Sequence, residues 1–387
     1  MITTPLTRRY LAKLGAGTCL ALAAPAILAH AAPASLHLGQ IESLTGPSSP
    51  AGLRGRAGTE VAIADLNKNG IEIGGTTYKI ETTVGDCAND ARQAITLLRQ
   101  YAATDMLCSI GPTNSVGYVP IVPVAGQLNF AIVGDGSVAV IKAWNPYAYR
   151  VNPTNASATP VLLQKVIARD KVRRLAVLYD QTQDGQRADS DMCKQLAGKL
   201  SYEIIAFEAF RTGDPDFSPQ ISTIRAAKPD AIFLAAAPGD GIKMVPQIRD
   251  AGLEVPLLTG SGAFQDPVYW TGTKGLIKGC YTWISLDLQN PANPALNAFV
   301  EAYRASHEGQ IPAANATFGA DALYAVVAAL KMAGKAERGL LNEALAALDT
   351  TTPLGTHVQF KNPPSGDNLD PSVLAVQVNG PGSYLAV

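Results

Sequence analysis

The sequence predicts an α/β protein of two lobes, each a mainly parallel sheet flanked by helices, hinged around a cleft. Three observations carry that reading. Short uninterrupted apolar runs, such as residues 106–110 and 130–133, end in glycine and small polar residues, as strands buried on both faces do. Segments of helical length and period lie between such runs. The alternation pauses near 149–155 and restarts on a similar scale, which predicts two sets of βαβ units with right-handed crossovers.

The first 31 residues read as an export signal that is removed. Arg8 and Arg9 form a twin-arginine n-region, residues 14–27 are weakly apolar, and Ala29-His30-Ala31 supplies the small residues a signal peptidase needs. The apolar part is too short and alanine-rich for a membrane span. Cys19 precedes much of that run and has no lipoprotein lead-in. A periplasmic protein follows from this reading, and a twin-arginine route implies export after folding.

Cutting after Ala31 removes Arg8, Arg9 and Lys13, so the 31 cations of the full chain become 28 against 32 anions. That balance is no footprint for nucleic acid or for insertion into an anionic membrane. No later segment reads as apolar for long enough to span a bilayer. Cys87, Cys108, Cys193 and Cys280 are widely spaced without a C-x-x-C and are expected as buried thiols. His37, His307 and His357 stand alone, so neither a metal site nor a cofactor is expected.

In order, the mature chain opens with a strand at 36–43 and a helix at 53–68 that Asn69-Gly70 stops. A strand at 78–84 and a helix at 91–103 follow; Ala94, Leu98 and Tyr101 share one side of that helix. The strands at 106–110 and 130–133 flank a helix at 115–128, expected to be irregular because of Pro120 and Pro123. After the pause come helix 158–169, strand 174–179, helix 187–200, strand 203–210, helix 217–227 and strand 231–236. Helix 241–251 and strands 255–258 and 279–286 complete that set. Helices at 293–306, 316–333 and 338–348 are too few to fold alone and are expected to cover the first sheet. Residues 356–360 and 373–379 read as a closing hairpin. Crossings near 151–155, 285–290 and 351–356 then give an N-terminal lobe of 32–152 plus 288–352 and a C-terminal lobe of 153–287 plus 353–387.

Polar, small turns at the carboxyl ends of parallel strands are where open α/β sheets bind ligands. Asn114, Ser115 and the Gly136-Ser137 turn are therefore the candidates for holding an anionic group. A hydroxyl beside the N–H groups of a helix start favours an anion. The plainer role for Ser115 is a helix cap, worth about 1 kcal/mol.

Four motifs, in this order and spacing, carry a resemblance across essentially the whole mature chain. They are Leu44-Thr45-Gly46-Pro47 with Gly52, Gly85-Asp86-Cys87-Ala88-Asn89-Asp90, Gly111-Pro112-Thr113-Asn114-Ser115 with Pro120, and the late Ala320-Asp321-Ala322-Leu323-Tyr324. The chain resembles the type I periplasmic binding proteins of ABC importers, in particular the leucine/isoleucine/valine-binding family. The resemblance implies a monomeric substrate-binding component without catalysis, closing by hinge motion on a small carboxylate-bearing ligand and serving a membrane permease. It also implies that the ligand carboxylate falls on Ser115 and on Gly136-Ser137.

Departures from the family shape the ligand question. The carboxylate that takes an amino acid's ammonium falls on Ser261, which cannot supply the charge. The flanking aromatic positions fall on Asp184 and Ala237. Asp184 or Asp240 could replace the lost carboxylate, since a buried ammonium needs a partner, or either could be an ordinary loop residue. Ala237 leaves room and Phe264 offers an aromatic wall. A hydrophobic, branched-chain or aromatic amino acid and an aromatic carboxylate both stay open. Two other classes share features with this sequence. A ligand-sensing module of the same fold, reporting to a regulator, is the alternative. A dinucleotide-dependent oxidoreductase is remote: Gly134-Asp135-Gly136-Ser137-Val138-Ala139 matches G-x-G-x-x-A, but not after the first strand and without the later acidic residue.

Overall fold

A computed structural model describes residues 33–138, 145–260, 263–360 and 366–387; the expected export signal at 1–31 and Ser261 lie outside them. The first sheet comprises β1 (Ala34–Glu42), β2 (Ile71–Ile73), β3 (Thr76–Asp86), β4 (Ser109–Ile110), β5 (Ile132–Gly134) and β6 (Ala148–Arg150). Its order is β2-β3-β1-β4-β5-β6, parallel except for the β2–β3 pair. The connecting helices are α1 (Ser49–Asn69), α2 (Ala91–Ala102) and α3 (Ser115–Leu128). Helix α3 runs unbroken through Pro120 and Pro123, because Tyr118, Ile121, Val122 and Ala125 are buried with Ile41, Leu98 and Tyr101 of the sheet and α2.

The second half contains α4 (Asn155–Asp170), β7 (Arg174–Asp180), α5 (Asp184–Leu200), β8 (Glu203–Phe210), α6 (Ser218–Ala227), β9 (Ala231–Ala235) and α7 (Pro238–Asp250). It continues through β10 (Leu257–Leu258), α8 (Pro267–Gly272) and β11 (Tyr281–Ile284). Three helices follow, α9 (Pro294–Ser306), α10 (Ala314–Ala333) and α11 (Arg338–Ala346), then β12 (Asp349–Thr351), β13 (His357–Gln359), β14 (Leu374–Gly380) and β15 (Ser383–Ala386). The second sheet is ordered β15-β14-β11-β10-β9-β7-β8. It is parallel from β11 to β8, with β14 and β15 antiparallel at one edge.

Three expectations are corrected. The stretch read as a pause holds the edge strand β6, which is short and ends one residue before Asn152-Pro153. The expected hairpin between 356–360 and 373–379 does not form: β13 pairs with β12, while β14 pairs with β11 and β15. Asp321 of α10 explains it, since Thr352 and Thr356 each donate to its carboxylate at 2.6 Å and fold that turn back on the helix. Burial pushes the Asp321 pKa up to about 7, the two hydroxyls opposing it. The third concerns α10, which is long and apolar enough to cross a membrane by length and composition. Most of it is buried, with Leu323, Val326 and Leu330 in the same core as Leu36 and Leu38 of β1. Among the described residues Cys87, Cys108, Cys193 and Cys280 are buried free thiols.

Helices α1 and α10 meet backbone to backbone. A Cβ on Gly58 would stand 1.9 Å from the Ala316 carbonyl oxygen, and one on Gly319 would stand 2.3 Å from that of Gly55. Gly58→Ala must therefore push the helices apart, a strain of about 1–3 kcal/mol that outweighs the roughly 1 kcal/mol gained in helix propensity. Gly198 of α5 has nothing within 4 Å, so Gly198→Ala should stabilise by about 0.5–1 kcal/mol. Urea unfolding of both variants checks the opposite signs; a neutral Gly58→Ala would refute the close approach.

Candidate ligand-binding site

The turns leaving β1, β4 and β5 are tied to one another. Glu42, at the end of β1, accepts from the Thr113 backbone N–H at 3.1 Å and from the Thr113 hydroxyl. Burial pushes its pKa up to about 8 against the pull of those bonds. Asn114 caps α3 by accepting from the Gly117 N–H at 2.8 Å and donates to Ser43 Oγ at 2.6 Å. Ser115 is thus the first residue inside the helix, not its cap. Its Oγ accepts from the Val138 N–H at 3.1 Å, joining the β4 and β5 turns and leaving its own proton to donate. The N–H groups of Ser115 and Val116 belong to the first turn, where no helical acceptor exists.

These groups line one end of a cavity of about 110 Å³ between the two sheets, together with Ser137 and Asp135. Gln183, Gly185 and Gln186 after β7, and Ala236, Ala237 and Pro238 after β9, line the facing side. A Cβ on Gly185 would stand 2.7 Å from Ser137 Oγ and 3.6 Å from Ser115 Oγ, so the second half covers the hydroxyl pair closely. Trp283 of β11 and Phe318 of α10 are the aromatic rings on the wall. Arg54 of α1 crosses to Asp266, donating from Nε at 2.9 Å and from a terminal nitrogen at 2.8 Å. Burial raises the Asp266 pKa and the guanidinium pulls it back down. Among the described residues no group of three His, Cys, Asp or Glu side chains could hold a metal.

The structure gathers Asn114, Ser115, Ser137 and Ala237 on this wall and sets Gly136, Asp184, Asp240 and Phe264 elsewhere. Gly136 lies behind it: its carbonyl accepts from Arg150 Nη1 at 2.5 Å, and any Cβ would meet the Tyr118 ring. The same ring fills the space beside Gly134, so close packing accounts for both glycines of the dinucleotide-like motif. Asp184, in the first turn of α5, is ion-paired with Arg187 and lies off the wall. Asp240 is buried in the first turn of α7, accepting from the Gly213 N–H at 3.1 Å, and burial raises its pKa. Phe264 is not the aromatic wall. It sits in the core behind it, edge-on to Tyr269 with ring centroids 5.1 Å apart. Tyr269 in turn donates to the Ala236 carbonyl at 3.2 Å, so Phe264 buttresses the wall from a second layer.

Sequence reasoning missed Asp135, Trp283, Asn315 and Phe318. Asp135 lies inside the turn leaving β5, but a carboxylate is a poor candidate for a site that holds an anion. The others arrive from distant segments that only the tertiary fold brings in.

Residues 35–380 match the model of the periplasmic binding protein family. Leu/Ile/Val-binding protein homolog 1 of Brucella abortus (strain 2308) is 26% identical over 247 residues, spanning 63% of this chain and 65% of that relative's length. Two solved structures share the fold. One is the branched-chain amino acid transporter substrate-binding protein LivJ of Streptococcus pneumoniae in complex with isoleucine, with TM-score 0.80, 18% identity, and 91% of this chain and 98% of that one covered. The other is an ABC transporter solute-binding protein of R. palustris in complex with benzoate, with TM-score 0.80, 19% identity, and 91% and 95% covered.

Proposed function

Because the chain belongs to the periplasmic binding protein family, a family of binding proteins and not of enzymes, we propose that it captures a small carboxylate-bearing ligand between its lobes and hands it to an ABC permease. The observation that carries this reading is the cavity itself. Two hydroxyls and the free N–H groups of α3 stand at one end, and Trp283 and Phe318 supply apolar walls. Charge-assisted bonds to such donors are strong. Hydrophobic, branched-chain and aromatic amino acids, and aromatic carboxylates, suit this combination, and the isoleucine and benzoate carried by the two similar proteins support that range.

In this reading the lobes are 32–152 with 288–352 and 153–287 with 353–387, except that 353–360 and 366–370 travel with the first: β13 pairs with β12, and Asp367 bridges to Arg150 of β6. Ligand binding favours the closed form by differential affinity. Residues 1–31 act as a cleaved twin-arginine-type signal, and the mature protein works as a periplasmic monomer.

Ser115→Ala tests the placement. A hydrogen bond to a charged group is worth about 1.5–3 kcal/mol, so affinity for the binding members of a panel of L-leucine, L-isoleucine, L-phenylalanine and benzoate should fall about 10- to 100-fold by calorimetry. The empty protein should lose only about 1 kcal/mol, as the Val138 N–H loses its acceptor. Unchanged affinity would sink the assignment of Ser115.

A further inference from the structure

Of the two carboxyls on the cavity wall among the described residues, Asp135 is the one with no cation of its own. It is only 7% exposed, and its Oδ2 has no hydrogen-bond partner, while the Asn315 side chain serves the group on the other side. The second carboxyl on the wall, Asp266, is held by Arg54. Among the described residues no lysine, arginine or histidine lines the cavity. Arg150 lies near, but its donors are engaged by the carbonyls of Gly136 and Val138, at 2.5 Å each, and by Asp367. A buried carboxyl oxygen facing a cavity without a partner is costly unless a ligand satisfies it.

We infer that Asp135 takes the ammonium group of the ligand, so that the cavity selects zwitterionic α-amino acids over simple carboxylates. The inference rests on the reading of the cavity as a carboxylate site. Asp135 and Ser137, two residues apart in the non-helical segment leaving β5, both line the cavity, so the neighbouring ammonium and carboxylate of one α-amino acid can meet them from the same wall. The charge missing at Ser261, and not provided by Asp184 or Asp240, is thus supplied from the lobe that also holds the carboxylate.

Proton linkage follows. Burial, reinforced by Glu42, holds the Asp135 carboxyl well above the usual range in the empty cavity, while Asn315 and Arg150 draw it back. Glu42, Arg150 and Tyr118 are the charged or titratable groups coupled to it. An arriving ammonium favours the carboxylate, so binding releases a proton and affinity rises with pH, by up to about tenfold per unit for one proton.

The test uses matched pairs, L-leucine with 4-methylpentanoate and L-phenylalanine with 3-phenylpropanoate, each pair differing only in the ammonium. The wild-type protein should bind the amino acids far better than the deamino acids. Asp135→Asn, which keeps the shape and the contact with Asn315, should lose about a hundredfold for the amino acids. The same change should leave the deamino acids unharmed and flatten the rise with pH. Calorimetry of the wild type in two buffers of different ionisation enthalpy reports the released proton independently of the variant. Equal affinity within a pair, or discrimination that survives Asp135→Asn, overturns the inference alone. If neither member of either pair binds, the carboxylate reading fails and this inference falls with it.

Discussion

Gly185→Leu is expected to abolish ligand binding while leaving the empty protein folded. The residue sits in the first turn of α5, where any Cβ would stand 2.7 Å from Ser137 Oγ. A leucine side chain would extend from there into a cavity of only about 110 Å³. The cavity lies between the two sheets, so separating the lobes relieves the clash and the empty open form tolerates the change. Glycine also costs a helix roughly 1 kcal/mol relative to other residues, which favours the variant when nothing is bound. Ligand at a hundredfold its dissociation constant stabilises a protein by about 2.7 kcal/mol. That increment should appear in the thermal unfolding of the wild type and vanish in Gly185→Leu. A full-sized increment in the variant would mean that the ligand does not lie between Gly185 and the two serines.

The second large effect is expected at Arg54, which touches no proposed ligand atom. Its bidentate pair with Asp266 spans the cleft, and both side chains are largely withdrawn from water, 14% and 5% exposed. Tyr303 of α9 supports the guanidinium with a further hydrogen bond. Removing one partner of a buried pair costs about 3–5 kcal/mol, less if the surviving carboxyl protonates. In Arg54→Ala that cost falls on the closed form alone, because opening returns Asp266 to water. The variant should lose ten- to a hundredfold in affinity for every ligand it binds, by nearly the same factor. Titration calorimetry with chemically different ligands checks this. A loss confined to one ligand class would make Arg54 a specificity residue, and no loss at all would remove it from closure.

Much of the fold was legible because parallel strands and their helices announce themselves by apolar runs and 3.6-residue periods. Helix α3 was placed at 115–128 and observed at those residues. The misses lie where the pattern is too short or is overruled. β2 and β6 have three residues each, too few for alternation to register. Residues 356–360 carry a good strand pattern, yet their partner was decided by Asp321, a buried carboxyl on a helix more than thirty residues earlier. At the site, turns that bind through their own backbone were readable locally: Asn114, Ser115 and Ser137 lie in the two turns that leave β4 and β5. Trp283 and Phe318 were not, since an aromatic residue on a cavity wall looks in sequence like any core residue. Phe264 shows the converse, a plausible wall residue whose ring the core claimed.

The backbone contact between Gly58 and Ala316 also bears on how the chain is made. The two residues are separated by most of the chain, and at about 5–20 residues per second the ribosome needs tens of seconds to deliver the second after the first. Through that interval the nascent N-terminal sheet has no α10 to lie against, and Leu36, Leu38, Val61 and Ala62 keep an oily face turned to the cytosol. Such long sequence separation slows folding, and the unfinished half presents both apolar surface and open strand edges. Vectorial synthesis therefore leaves a chaperone-sized window that a rearranged gene order, with residues 288–352 moved ahead of the second sheet, would shorten.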